Sequence, residues 1–103
     1  MAADLSTIRR AIGSGDYLLT RHALSRLASL GVTLAQMEEA FGDDEPEVLE
    51  DYPHHRRGPC CLLLGWDRSG RPQHCVAGYG GSRLSVTIYE PDPRQWVDYR
   101  RRR

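Results

Sequence analysis

The sequence predicts an α+β fold in which two or three N-terminal helices pack on a three- to four-stranded antiparallel sheet. Two observations favour this class. Apolar side chains recur at helical spacing through residues 5–41, in segments that end at glycines. Residues 47–90 instead contain short apolar or alternating runs separated by turn sequences. The helical front and the strand-rich back together indicate helices packed on one side of a sheet.

Three helices are expected before residue 43. The first covers residues 5–12. Thr20 is the expected N-cap of the second helix, which ends at Gly31. A capping box at Thr33 begins the third helix, which is expected to end at Gly42. Helical spacing predicts that the second helix buries Ala23, Leu24, Leu27 and Leu30, and that the third buries Leu34, Met37 and Phe41.

The expected strands begin at Glu47, after a short extended link at residues 17–19. They are the segment Glu47 to Tyr52 and the runs "CCLLLGW", "PQHCVAGY" and "RLSVTIYE". The turn sequences "PHHRRGP", "DRSGR" and "GGS" join them. In the last strand apolar and polar residues alternate, so one face belongs to the core and the other is polar and open.

Length, composition and charge restrict the class of protein. A chain of 103 residues suits one domain, expected to span residues 1–103 with a basic, solvated tail at residues 100–103. Charged residues interrupt the N-terminus, and no apolar run approaches the roughly 20 residues that cross a bilayer, so we expect a cytoplasmic protein without a membrane partner. Residues 27–55 carry a charge of −8 and residues 56–103 carry +6, an asymmetry that indicates a nucleic-acid or charged-protein partner.

The cysteine and histidine pattern does not predict a metal site. The three cysteines lack a Cys-x-x-Cys spacing. Adjacent strand residues point to opposite faces, so Cys60 with Cys61, and His74 with Cys75, can each offer one ligand to a common site. We therefore expect no metal and no cofactor.

Five residues are candidates for chemistry on a phosphate. His22 and Arg26 are four residues apart on the second helix and share a face, where an acid or base would stand beside a guanidinium clamp. His74 is a candidate second acid or base, and Thr87 and Tyr89 lie on the polar face of the last strand. The alternatives are a boundary histidine bonded to a strand for His22, cross-strand packing for His74, and ordinary strand preference for the other two.

Three stretches resemble the DUF4258 family of small prokaryotic proteins over about residues 15–99. They are "YLLTRHALSRLASLGVTLAQMEEAF", "GPCCLLLGWDRSGRPQHCVAG" and "LSVTIYEPDPRQW". That family is similar to RelE/ParE-like toxins of the wider barnase–colicin–RelE group. The resemblance implies a RelE/ParE-like fold, metal-independent ribonuclease activity and an antitoxin-like partner of zinc-finger or helix-turn-helix type. The family's motifs fall on His22, Ala23, Arg26, His74, Thr87, Tyr89, Pro91 and Asp92.

The first functional hypothesis is a toxin-like, RNA-cleaving domain. His22 and His74 would be its acid/base pair, Arg26 its phosphate clamp, and Tyr89 a positioning group. The expected substrate-binding residues are Arg21, Arg83 and Thr87. The alternative hypothesis is a non-catalytic module that binds a protein partner through the sheet face.

Overall fold

The computed structural model describes residues 2–103, and it consists of an N-terminal helical layer, a five-stranded sheet and a C-terminal hairpin. The helices are α1 (Leu5–Gly13), α2 (Arg21–Leu30) and α3 (Leu34–Glu38), which continues as a π-helical turn, Glu39–Asp43. The strands of the sheet are β1 (Tyr17–Leu19), β2 (Glu47–Tyr52), β3 (Cys60–Trp66), β4 (Pro72–Gly78) and β5 (Leu84–Tyr89). The hairpin pairs β6 (Trp96–Val97) with β7 (Arg101–Arg102). No helix within residues 2–103 is both long and apolar enough to cross a membrane.

The α+β class is confirmed, but the sheet is larger than expected and is not wholly antiparallel. Its strand order is β1-β5-β4-β3-β2, and β1 runs parallel to β5. Residues 17–19, expected to be a link, form this fifth strand by pairing with Leu84–Val86. Three residues are too short to show a strand period, so their pairing partner decides their structure.

The helix ends predicted at Thr20, Gly31 and Thr33 are confirmed, because local hydrogen bonds set them. Thr20 Oγ1 accepts from the backbone N–H of Ala23 at 3.0 Å, and Gly31 ends α2 in the left-handed conformation, with φ of 70°. The capping box of Thr33 is also present.

Two residues predicted to lie in the core do not: Leu24 is 51% exposed and Leu34 is 44% exposed. Gly42 does not end the third helix either, since the π-helical turn continues to Asp43.

The helices cover one face of the sheet, and the main core lies between them. Leu27 of α2, Phe41 of the π-helical turn, and Val86 and Ile88 of β5 belong to this core. The opposite face of the sheet carries the alternate residues of the same strands. The hairpin residue Trp96 is buried against that face, where its ring contacts His74 with centroids 4.5 Å apart, and Leu62 and Leu64 of β3 are buried on it as well. The part of this face that carries Ser85 and Thr87 is left open.

The C-terminal arginines form ion pairs rather than a frayed tail. Arg100 Nε lies 2.8 Å from Glu47 Oε2, and Arg102 Nε lies 3.0 Å from Glu50 Oε2. Arg102 also stacks over the Trp96 ring. Residues 100–103 are all exposed, and two of them, Arg101–Arg102, form the short strand β7. Acidic residues of β2 attract it, which the sequence could not show because the pairs are about fifty residues apart.

The crossing of α1 and the π-helical turn requires a glycine at one position. A Cβ on Gly42 would lie 2.6 Å from the backbone nitrogen of Gly13, whereas a Cβ on Gly13 would meet nothing closer than 3.6 Å. We expect Gly42→Ala to lower the free energy of unfolding by about 1–3 kcal/mol, because backbone must move to admit the methyl group. Gly13→Ala is the matched control and should leave stability unchanged or slightly raised. Urea denaturation measures both, and equal effects would contradict this crossing geometry.

One carboxylate holds the β3–β4 turn together. Asp67 accepts hydrogen bonds from the backbone N–H groups of Ser69 and Arg71, both at 2.9 Å, and from the Gln73 amide at 3.2 Å. Although burial opposes its ionisation, these bonds and those of the Ser69 hydroxyl and Arg71 guanidinium lower the pKa of Asp67 to about 2. The folded state therefore favours the ionised carboxylate.

The Asp67 carboxylate should make stability depend on pH in the acid range. Its folded pKa lies below its unfolded pKa, so the stabilisation is complete above the unfolded value and is lost as pH falls through the folded value. Asp67→Asn should unfold more easily than wild type by about 2 kcal/mol at neutral pH, and this gap should close between about pH 4 and pH 2. Urea denaturation across that range measures it. Asp44→Asn is the control; a gap that is constant with pH would refute the assignment.

Candidate functional site

The start of α2 brings His22 and Arg26 into contact. The Thr20 cap fixes where the helix begins, and one helical turn then separates the two side chains. Arg26 Nε–H donates to His22 Nε2 at 3.2 Å, so this nitrogen carries a lone pair and the imidazole is neutral in this arrangement. Both residues are exposed. The predicted pairing of these two side chains on one face of the helix is confirmed.

A concavity of about 420 Å³ lies beside this pair, and we call it the α2 concavity. His22, Arg26 and Glu90 provide its ionisable groups, and Ser25, Ser29 and Leu30 complete it. Glu90 directly follows β5, so the end of that strand carries it to the helix. The α2 concavity thus holds an imidazole, a guanidinium and a carboxylate.

His74 lies elsewhere, inside the protein. It is 0% exposed and shares the sheet face of Tyr89, opposite the face that Ile88 buries under the helices. Its Nε2 is 2.7 Å from the carbonyl oxygen of Tyr99, which can only accept, so Nε2 carries the proton. Nδ1 then accepts from the Tyr89 hydroxyl at 3.2 Å. Burial lowers the pKa of His74, against the opposing effects of the Tyr99 carbonyl and the Glu50 charge. The structure does not bring His74 into one concavity with His22.

Tyr89 connects the buried histidine to the surface. It is half-buried and lines a concavity of about 330 Å³ together with Glu50, Tyr52 and Arg102. Burial raises the pKa of Tyr89, and the charges of Arg102 and Arg26 oppose that rise. Tyr89 directly precedes Glu90, which lines the α2 concavity, so both sites meet at the end of β5.

A third concavity, of about 630 Å³, occupies the open sheet face, and we call it the open-face concavity. It contains two of the predicted substrate-binding residues, Arg83 and Thr87. It also contains His55, Arg57 and Ser85, which were not predicted. The third predicted substrate-binding residue, Arg21, is exposed and lines neither this concavity nor the α2 concavity.

Most of the additional residues could not be predicted from sequence patterns. Glu90 stands next to Tyr89 in "TIYEP", but only the packing of α2 on β5 places it beside His22. Arg57 lies in a loop. Loops have no regular side-chain periodicity, so the direction of a loop side chain cannot be predicted from the sequence. Ser85 is the exception. The alternation of the last strand places it on the same face as Thr87 and Tyr89, so Ser85 could have been predicted from the sequence.

The histidines and cysteines are dispersed over the fold. Among residues 2–103, no three side chains of His, Cys, Asp or Glu are grouped so that they could hold a metal ion. Cys60, Cys61 and Cys75 are free thiols, and burial raises the pKa of Cys61 to about 12. The buried thiols thus remain protonated at neutral pH, a form that binds metals poorly.

Comparison with known proteins assigns the family. No curated protein and no solved structure matches the chain. The model of the family described as a domain of unknown function, DUF4258, matches residues 19–90. This match includes α2, the rest of the sheet from the end of β1 to β5, and all three ionisable residues of the α2 concavity. Because it covers more than half of the chain, the protein belongs to the DUF4258 family.

Proposed function

We propose that this protein is a metal-independent ribonuclease that acts in the α2 concavity. The observation that carries the proposal is the 3.2 Å contact between Arg26 Nε and His22 Nε2, in a concavity that also holds Glu90. Cleavage of RNA without a metal needs a base, an acid and a cation near one phosphate. These three side chains supply those groups.

The chemistry assigns a role to each group. The Glu90 carboxylate takes the proton of the ribose 2′-hydroxyl, and the 2′-oxygen attacks phosphorus. The bond from phosphorus to the 5′-oxygen breaks, and protonated His22 gives its proton to that leaving oxygen. Arg26 stabilises the charged phosphorane. When a phosphate accepts the Arg26 hydrogen bond, His22 Nε2 is released and can carry the proton that the acid step needs.

In this mechanism Glu90 is the second acid/base group, the role for which the sequence analysis proposes His74. Both nitrogens of His74 are bonded, and the ring is buried, so His74 reaches the surface only through Tyr89. In this proposal His74 is a positioning residue that orients the Tyr89 hydroxyl. The helix-plus-sheet architecture is consistent with a RelE/ParE-like toxin, and an antitoxin-like partner would then block the α2 concavity.

RNA cleavage by the purified protein tests the proposal. The substrate is a short single-stranded RNA in EDTA, compared with the same strand carrying 2′-deoxyribose throughout. We expect a product ending in a 2′,3′-cyclic phosphate from the RNA and none from the DNA, because the 2′-hydroxyl is the nucleophile. His22→Ala should lower the rate by roughly 10²–10⁴-fold.

The control variant is His54→Ala, which removes an exposed histidine that does not line the α2 concavity. It should cleave at the wild-type rate, and both variants should melt at the wild-type temperature. Failure of the folded wild-type protein to cleave any of a set of mixed-sequence RNAs would favour the non-catalytic binding module. Cleavage of the DNA strand would contradict the 2′-hydroxyl mechanism.

A further inference from the structure

The open-face concavity has an unusual charge distribution for this protein. Arg68, Arg100 and Arg102 pair with carboxylates at 2.6–3.0 Å, whereas Arg83 of the concavity pairs with Asp16 at the longer distance of 3.3 Å. No Asp or Glu lines the open-face concavity, although Arg57 and Arg83 both do. An anion that enters it therefore meets two guanidinium groups and no lining carboxylate.

Several polar side chains of the concavity lack a partner in the part of the chain that the structure describes. Within residues 2–103, the side chains of Arg57, Ser85 and Thr87 make no hydrogen bond or ion pair. Arg83 is held along one edge, by Asp16 Oδ1 and by the carbonyl of Tyr17, each at 3.3 Å. The concavity thus presents one anchored guanidinium, one free guanidinium and two free hydroxyl groups.

A glycine of the central strand β4 lines the open-face concavity. Gly78 of β4 is the cross-strand partner of Ser85 on one side and of Cys60 on the other. A Cβ on Gly78 would collide with Ser85 Oγ, so the serine hydroxyl occupies space that the glycine leaves free. On the same face, Thr87 follows Ser85 at the two-residue spacing of a strand. Both side chains therefore line the concavity from the same face of β5.

We propose that the open-face concavity binds a phosphate group of a nucleotide or an oligonucleotide. Arg57 and Arg83 pair with the phosphate oxygens, and the hydroxyl groups of Ser85 and Thr87 donate to it. This site is distinct from the α2 concavity and shares no residue with it. The inference goes beyond the proposed ribonuclease function, because binding here requires no cleavage.

The test measures binding of three probes by NMR titration of the ¹⁵N-labelled protein. The probes are inorganic phosphate, uridine 5′-monophosphate and a dinucleoside monophosphate with an internal phosphodiester. We expect saturable shifts of the backbone amides of Gly78, Ser85 and Thr87. Saturation by inorganic phosphate and uridine 5′-monophosphate alone assigns the site to a terminal phosphate, and saturation by the diester assigns it to the backbone of a strand; both support the proposal.

Two arginines of one loop give a matched comparison. Arg57→Ala should weaken binding by roughly tenfold or more, since it removes a charged hydrogen bond. Arg56→Ala removes the same charge from the adjacent exposed residue, which does not line the concavity, and should change the dissociation constant by less than about twofold. Equal weakening by both variants, or no saturable shift with any probe, would overturn the proposal. Binding at the amides of Gly78, Ser85 and Thr87 requires no cleavage, so failure of the ribonuclease proposal remains a separate result.

Discussion

Leu27→Ala is expected to lower the free energy of unfolding by about 2–5 kcal/mol, a larger loss of stability than the glycine or aspartate changes above. Leu27 is 2% exposed and lies in the core cluster with Val86 and Ile88 of β5. Truncation removes buried apolar surface and leaves a cavity between α2 and the sheet. The surrounding residues close such a cavity only in part, which adds to the loss.

The neighbouring turn of the same helix provides the control. Leu24 is 51% exposed, so Leu24→Ala should change the free energy of unfolding by no more than about 0.5 kcal/mol. Both changes remove the same atoms from the same helix, so helix propensity cannot explain a difference between them. Urea denaturation of the two variants measures it. Comparable losses from both would mean that α2 presents a different face to β5.

Leu24 also shows what helical spacing cannot predict. The sequence places it in one apolar stripe with Ala23 and Leu27, but only those two of the three are buried. The period identifies the direction in which a helix faces the core, and it does not give the width of the face that the sheet covers. The same reasoning applies to Leu34, which begins a short helix and remains exposed.

Features set by neighbouring residues were predictable. Thr20, Gly31 and Thr33 make their capping interactions within a few positions along the chain, so their residue types are sufficient to predict them. The alternation of β5 likewise predicted its buried and open faces, because successive strand residues point in opposite directions.

Features set by distant residues were not predictable. Strand β1 depends on pairing with residues 84–86, and the burial of His74 depends on Trp96 and the Tyr99 carbonyl of the hairpin. The turn between β6 and β7 holds Tyr99 at a φ of 62°, a conformation that the residue type does not suggest. His22 could therefore be identified as a site residue from the spacing of its own helix. Its neighbour Glu90 could be identified only from the tertiary structure.

Arg26→Ala is expected to reduce RNA cleavage by roughly 10²–10³-fold, because it removes the group that stabilises the phosphorane. Arg26 is exposed, so the melting temperature should stay close to that of wild type. Arg26→Lys should restore only part of the rate, since an ammonium keeps the charge without the bidentate geometry of a guanidinium. Arg10→Ala removes an exposed arginine from α1 and is the control for a general loss of positive charge.

Glu90→Gln tests the proposed base separately from His22 and Arg26. The amide keeps the size of the carboxylate and cannot accept the 2′-hydroxyl proton, so the rate should fall by roughly 10²–10⁴-fold with no change in melting temperature. If the three residues act on one phosphate, combining Glu90→Gln with Arg26→Ala should lose less than the product of the single losses, because groups that act together are not additive. Single-turnover cleavage and thermal melting are measured on the same preparations. A double variant that is folded and still cleaves at the wild-type rate would remove the α2 concavity from the mechanism.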